Sequence, residues 1–318
     1  MAFSLSDALV LLGRWLHGTD YQFTTVTPAT HARVNARADS SAAGSLRDVF
    51  GWSRPFAAGL LPADALGWLR SSGLLDESGD LLRSRVRFST LGKQLYAHSA
   101  YPTLAADAVF FGPDTYRFVA LIEAELAKRN LNADARILDI GCGAGPGGIA
   151  ASAGSALPSE LLLADINPRA LEFARANAAL AGLLRARFAQ SNLFESLDGR
   201  FDLIVANPPY LVDAGERTYR HGGGALGSSL SVRIVRDGLT RLAPGGRLIL
   251  YTGAPIVEGA DPLRGEVTQL LQQAACTFSY REIDTDVFGE ELDSPAYANV
   301  ERIAAVALVA EKPARPAP

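Results

Sequence analysis

Apolar and polar positions are spaced in two different styles along this chain, and the change falls near residue 108. Before it, Leu5, Leu9, Leu12 and Leu16, joined by Ala8 and Trp15, recur at helical intervals and form one apolar stripe. Residues 24–45, rich in Thr, Ala, Ser and Arg, show no period and are expected to be irregular. The segment 62–75 predicts a helix, with Pro62 in its first turn, Ala65, Leu66 and Leu69 on its apolar face and Gly73 near its end. A turn is expected over 76–80. Leu82, Ser84, Val86 and Phe88 then alternate with Arg83, Arg85 and Arg87, the period of a half-buried strand, and 91–97 predicts a further helix. That order of helix, turn, strand and helix suggests a small, mainly helical domain of winged-helix type over 1–108.

Beyond residue 115 the pattern becomes regular. Helices are expected at 115–129, 147–154, 168–181, 226–242 and 262–275, and strands at 136–140, 161–164, 186–189, 201–206, 247–252, 278–287 and 303–310. Strands that alternate with helices imply a mostly parallel sheet covered on both faces, so 109–310 is expected to be a doubly wound α/β domain with seven strands. The proline-rich segment 311–318 is expected to be a disordered tail.

Composition narrows the classes of function. The 318 residues, 48% hydrophobic and 20% charged, suit two globular domains rather than a disordered polymer. No run approaches the roughly 18–20 apolar residues that span a bilayer, and Asp7 interrupts the apolar start, so no membrane partner is expected. A formal charge of −4 supplies no global positive field, and any nucleic-acid contact must use a local patch. Cys142 and Cys276 make no disulfide framework and belong to no metal-type cluster; the expected compartment is the cytoplasm, and no metal is expected.

The strongest chemical signal is the stretch 137–148. An apolar strand runs into a turn with Gly141, Gly143 and Gly145, and Pro146 marks the start of a helix. Glycines are needed there because the backbone bends sharply and a ligand must come within contact distance. Asp165 closes the next strand, where a carboxylate can accept hydrogen bonds from ribose hydroxyls. Two cofactors compete at this point, because the run from Gly143 to Gly148 also satisfies the dinucleotide pattern G-x-G-x-x-G of nicotinamide-dependent oxidoreductases.

A second signal closes the strand 201–206. Asn207-Pro208-Pro209-Tyr210 places two prolines after the strand, which stiffen the backbone and leave its carbonyls available. The Asn207 side-chain oxygen and the Pro208 carbonyl can each accept one N–H of a planar nitrogen, and Tyr210 can cover the planar group by stacking. Such a nitrogen sheds its proton during or after attack. No His or Cys nucleophile is therefore expected, and His17, His31, His98 and His221 are scattered.

Asp139-Ile-Gly141-Cys-Gly143-Ala-Gly145 resembles motif I of the class I S-adenosylmethionine-dependent methyltransferases. With Asp165, Ser191-Asn192-Leu193-Phe194 and Asn207–Tyr210, residues 108–310 resemble the N-methyltransferases bearing an N-P-P-Y motif, above all the release-factor glutamine N5-methyltransferases and related RNA N-methyltransferases. The resemblance implies a Rossmann-like methyltransferase fold and S-adenosyl-L-methionine as cofactor. It implies that Asp139, Gly141, Gly143, Gly145, Asp165, Asn192, Leu193 and Asn207 bound the cofactor, with Asn192 and Leu193 at the adenine. Asn207 and Pro208 would hold the acceptor nitrogen, and Tyr210 would pack on it. The sequence departs from the pattern at Asn192, where an Asp is usual, at 111–115, a shortened form of the proline-rich segment, and at 211–225, which is shorter than the hairpin insertion of the bacterial glutamine enzymes.

Adenine N6, guanine N2 and glutamine Nδ all present a planar amino group. A protein glutamine of the release-factor type is the first expectation, and a ribosomal RNA base is the alternative. The N-terminal domain is the expected substrate-recognition part, with Arg83, Arg85 and Arg87 on one strand face and Pro209 at the acceptor corner as candidate substrate contacts.

Overall fold

The computed structural model describes residues 4–132, 134–153, 160–213, 217 and 219–314. The chain forms two compact units. One comprises the residues up to Arg117 together with 143–146 and 168–184; the other comprises 118–142, 147–167 and the residues from Arg185 onward. The partition is therefore not linear in sequence.

The first unit begins with α1 (Leu5–His17), whose N-cap Ser4 accepts the Asp7 N–H at 3.1 Å. Next come α2 (Pro28–Asn35), α3 (Leu46–Phe50) and α4 (Ala63–Ser71). Helix α2 lies within the stretch expected to be irregular; Thr27 caps it and Pro28 opens it, a start signal that its weak apolar period hides. Two hairpins follow. β1 (Leu75–Ser78) pairs with β2 (Leu81–Ser84), and β3 (Val86–Leu91) pairs with β4 (Gln94–Ser99). The turn expected over 76–80 is thus confined to Gly79 and Asp80 between β1 and β2. Nor is 91–97 the helix of a winged-helix unit. Gly92, at φ 58°, reverses the chain, and Leu95 and Ala97 are buried from a strand.

Helix α5 (Pro113–Lys128) leads into the second unit, which holds β5 (Arg136–Ile140), α6 (Pro146–Ala153), β6 (Glu160–Asp165), β7 (Arg187–Gln190), β8 (Phe201–Ala206), α8 (Ser229–Arg241), β9 (Leu242–Ile256), α9 (Pro262–Gln273), β10 (Thr277–Asp284) and β11 (Arg302–Glu311). Helix α7 (Pro168–Leu180) belongs to the first unit. The sheet order is β10-β11-β9-β8-β5-β6-β7, in which β11 alone runs opposite to the other six strands.

Central strands are apolar on both sides because both sides are covered. Ile140, Ile204, Ala206, Leu248 and Leu250 pack with Val232, Val235 and Leu239 of α8 and Leu263, Val267 and Leu271 of α9. On the opposite face, Phe118 of α5 reaches Tyr251, and Gly148 of α6 sits tight on Leu161 and Leu163. This is a doubly wound, seven-stranded, mostly parallel sheet. The segment expected to be a tail from 311 starts later. Glu311 completes β11, and the Lys312 N–H donates to the Gly246 carbonyl at 2.9 Å; residues 315–318 lie outside the described residues, as does Gly154 of the expected helix 147–154. Among the described residues no helix is long and apolar enough to cross a membrane.

Candidate active site

Strand register brings the two sequence signals together. Ile140 pairs with Ala164 of β6 on one side and with Ala206 of β8 on the other. The residues that follow, Gly141, Asp165 and Asn207, therefore leave three adjacent strands at the same carboxyl edge, where neighbouring strands are about 5 Å apart. That edge is where ligands bind in open α/β sheets.

Gly141, Gly143 and Gly145 adopt φ of 66°, 53° and 82°, a region that side chains rarely enter. No heavy atom lies within 4 Å of the place a Cβ would take at Gly141 or Gly143, so the turn leaves open space along its backbone. Asp139 is 1% exposed, and its Oδ2 accepts the Gly148 N–H at 2.7 Å, which fixes the first turn of α6. Burial pushes this carboxyl up to about 7, against the pull of the Gly148 N–H and with a further push from the Asp165 carboxylate. Asp165 is also largely buried, and its Oδ1 accepts the Asn167 N–H at 2.8 Å. Positive-φ glycines, open backbone space and the Asp165 carboxyl at the neighbouring strand end suit a ribose-bearing cofactor, while Asp139, buried against α6, shapes the turn from behind.

The neighbouring loop is fastened to the same strand end. The Ser191 N–H donates to the Asp165 carbonyl at 3.0 Å, and Ser191 Oγ donates to the Leu193 carbonyl at 2.6 Å, which holds Leu193 at φ 50°. Leu193 is buried, while Asn192 is exposed and spends its amide N–H on Glu195 Oε1 at 2.7 Å.

At the acceptor corner Pro208 is buried, and Asn207 and Pro209 are half-buried. No described residue donates to the Asn207 carboxamide oxygen. Tyr210 is 5% exposed, with its ring against Gly253 of β9 and edge-on to Phe288 at 6.0 Å. Beyond it the chain is clamped. The Val212 N–H donates to the Tyr297 hydroxyl at 2.8 Å, Arg217 donates to Asp213 through Nε at 2.9 Å and Nη2, and Arg220 bridges Asp213 and Glu291. The Arg217 hydrogen bonds hold the Asp213 carboxyl down at about 2. Residues 214–216 and 218 of the connection 211–225 lie outside the described residues.

Two further contributors escape sequence reasoning. Ile166, next to Asp165, is 49% exposed and offers an apolar surface at that strand end. Asn177 of α7 is buried; it donates to the Ala144 carbonyl at 2.9 Å and exchanges two hydrogen bonds with Ala97. Its signal was a lone polar residue among the alanines of an otherwise apolar helix face.

The expected arginine face is not one face. Arg85 is half-exposed beside Asp76, and Arg83 donates to the Ser53 carbonyl at 2.8 Å. Arg87 instead turns inward and is 5% exposed. The reason is the break at Arg85, where the chain leaves one hairpin for the next and the two-residue alternation does not carry through.

A glycine turn after the first strand of a mostly parallel sheet, acidic residues at the ends of two strands, and one reversed strand, β11, next to the edge strand β10 define a Rossmann-like doubly wound fold. Within it, residues 120–257 match the family model of the methyltransferase small domain. A release factor glutamine methyltransferase of Deinococcus radiodurans is 38% identical over 126 residues, 36% of this chain and 44% of that protein. A ribosomal RNA small subunit methyltransferase C of Klebsiella pneumoniae subsp. pneumoniae is 35% identical over 120 residues, 37% of this chain and 31% of that protein. The chain thus spans less than half the length of these relatives. A solved 16S rRNA methyltransferase of T. thermophilus, in complex with AdoMet and guanosine, covers 81% of this chain and 64% of its own at a TM-score of 0.46 and 16% identity.

Proposed function

We propose that this protein is an S-adenosylmethionine-dependent N-methyltransferase that acts on a planar amide or amino nitrogen. The observation that carries the reading is the adjacency of Gly141 and Asn207 at the ends of paired strands β5 and β8. The family match and Asp139, two residues before the first glycine, favour a methyl donor over the nicotinamide alternative left open by the glycine pattern.

When bound, S-adenosylmethionine supplies a methyl group on an electrophilic sulfonium. Gly141, Gly143 and Gly145 would let it approach the backbone, Asp165 would accept from ribose hydroxyls, and Ile166 and Leu193 would border the flat base. Asp139 acts as a positioning residue through the start of α6. Asn207 Oδ1 and the Pro208 carbonyl hold the acceptor N–H groups, which aims the nitrogen lone pair and favours the positive charge that grows on it. Tyr210 stiffens that corner from behind and closes one side of it.

For the acceptor, the reading supported first is a protein glutamine of the release-factor type, given the relative that is 38% identical. A ribosomal RNA base is the second, supported by the relatives named for that activity. The first unit, with Arg83 and Arg85, is the proposed recognition part; Arg87 is withdrawn from it by burial.

Asn207→Ala is expected to lower methyl transfer by about 10²–10³-fold while S-adenosylhomocysteine affinity, measured by titration calorimetry, stays within about twofold. Undiminished turnover in this variant would sink the assigned role. Incubation with labelled S-adenosylmethionine and separated release factors, ribosomes and ribosomal RNA identifies the acceptor by the fraction that takes the label.

A further inference from the structure

The second unit carries a broad groove that has no part in the proposed methyl transfer. It lies between α9 and the edge strand β10 and holds about 570 Å³ of open room. Its lining sets three arginines, Arg264, Arg281 and Arg302, against two carboxylates, Asp261 and Glu282. Both carboxylates are already engaged. Asp261 caps α9, accepting the Arg264 N–H at 3.0 Å on Oδ1 and the Tyr280 hydroxyl at 2.7 Å on Oδ2. Glu282 accepts from Nη1 and Nη2 of Arg302 at 3.0 and 2.9 Å. The other two arginines are not engaged. Both are exposed, and neither side chain has a hydrogen-bond or ion-pair partner among the described residues. The guanidinium carbon of Arg264 stands over the Tyr280 ring, 5.8 Å from its centre. The groove therefore presents two open cationic forks, one of them set on an aromatic ring that Asp261 holds in place.

Two unanswered guanidiniums in a groove call for an anion. The room is far more than an isolated phosphate or carboxylate fills. The rest of the wall includes Thr268 and Gln269, which can donate and accept hydrogen bonds, with Ile256 and the Tyr280 ring as apolar surface. A sugar and a base fill such a space, whereas a carboxylate side chain leaves it empty. An extended peptide would have to add to β10. That edge is broken by a shift of register between Glu282 and Asp284, and it carries the charges of Arg281 and Glu282.

We propose that this groove binds a nucleoside phosphate, with phosphate oxygens on Arg264 and Arg281 and the sugar or base against Thr268 and Gln269. Two sources share that chemistry, a free mononucleotide and one nucleotide of a single-stranded RNA. Ile256 lies about 10 Å along β9 from Gly253, whose backbone meets the Tyr210 ring. An RNA strand seated in the groove is thus within reach of the acceptor corner. That such a strand is the one methylated rests on the methyltransferase reading; the binding itself does not.

The test uses the full chain at neutral pH with saturating S-adenosylhomocysteine, so that no nucleotide reports the cofactor end. Fluorescence anisotropy follows a short labelled single-stranded RNA, against which uridine monophosphate, inorganic phosphate and a glutamate-rich peptide compete. The RNA is expected to bind saturably and more weakly as salt rises, and uridine monophosphate to displace it at concentrations where inorganic phosphate does not. RNA that binds more than about tenfold tighter than the mononucleotide identifies a strand as the natural source, and comparable affinities identify the free nucleotide. Arg264→Gln and Arg281→Gln are each expected to weaken binding about tenfold, the worth of one hydrogen bond to a charged group. Each should also flatten the dependence of log affinity on log salt by about 0.7. Their Tm and their calorimetric affinity for S-adenosylhomocysteine are expected to stay at wild-type values, because both arginines are exposed and neither belongs to the glycine turn. RNA affinity that neither substitution moves, or a peptide or inorganic phosphate that competes as well as the mononucleotide, overturns the proposal. Should S-adenosylhomocysteine fail to bind, the cofactor reading falls while the two arginine variants still decide the groove.

Discussion

At the scale of single residues the acceptor corner depends on the absence of a side chain. Gly253 of β9 pairs with Ala305 and lies flat against the Tyr210 ring, where an added Cβ would overlap it. The ring cannot retreat, because it is buried and wedged by Phe288. Gly253→Ala is expected to lower stability by about 1–3 kcal/mol, the usual cost of overpacking a core. Methyl transfer should fall further than cofactor affinity does, since Tyr210 belongs to the corner and not to the glycine turn. Paired urea denaturation and activity measurements check both parts, and a variant with full activity would show that Tyr210 can be displaced without harm. Asp139 allows a second prediction. Its carboxyl titrates near 7 in the fold and near 3.9 when unfolded. The folded state therefore holds this proton more tightly, and the stability it confers is fully present below about pH 4, is lost as pH rises through 7, and does not recover above it. The slope can reach about 1.4 kcal/mol per pH unit. Asp139→Asn keeps an acceptor for the Gly148 N–H and removes the titration, so its stability should fall less steeply than the wild type's between pH 4 and 7. Parallel profiles in urea would refute the assignment.

At the scale of elements, what ties the glycine turn down is a helix from elsewhere in the sequence. Asn177 of α7 satisfies the Ala97 N–H, the Ala97 carbonyl and the Ala144 carbonyl, and the last of these lies between Gly143 and Gly145. Asn177→Ala leaves three backbone groups without that partner and is expected to cost about 2–4 kcal/mol. S-adenosylhomocysteine should also bind more weakly, because the turn loses its anchor; titration calorimetry on the folded variant reads this directly, and unchanged affinity would detach the anchor from the site. Such long-range bonds are why the sequence is only partly legible. The strands 136–140 and 201–206 and the Asn207 corner could be placed, because burial on both faces and paired prolines are local signals. The hairpin of β3 and β4 could not, since Leu91 and Leu95, four residues apart, also fit helical spacing and the positive φ at Gly92 decides between the two readings. The inward turn of Arg87 was likewise invisible, because which side of a strand is buried depends on register and not on alternation alone.

At the scale of the whole molecule the division of the chain departs from its order in sequence, and that has a consequence for any attempt to isolate the catalytic part. A fragment of residues 109–318 contains every strand of the seven-stranded sheet and both chemical signals. It also contains α7, whose partners in its own unit, α1 and β4, it would lack. In the intact chain Gly13 of α1 approaches Leu180 so closely that an added Cβ would stand 2.5 Å from its Cδ1, and Asn177 spends two of its hydrogen bonds on Ala97 of β4. Removing α1 and β4 bares the apolar face of α7 and leaves Asn177 half-satisfied, while Ala144 depends on that helix for the bond that steadies the turn. The fragment is therefore expected to aggregate or to lose cofactor binding even though no proposed cofactor contact has been deleted. Size-exclusion chromatography and calorimetry with S-adenosylhomocysteine decide the matter. A monodisperse fragment that binds as tightly as the full chain would mean that the sheet holds its own glycine turn and that the first unit serves the acceptor alone.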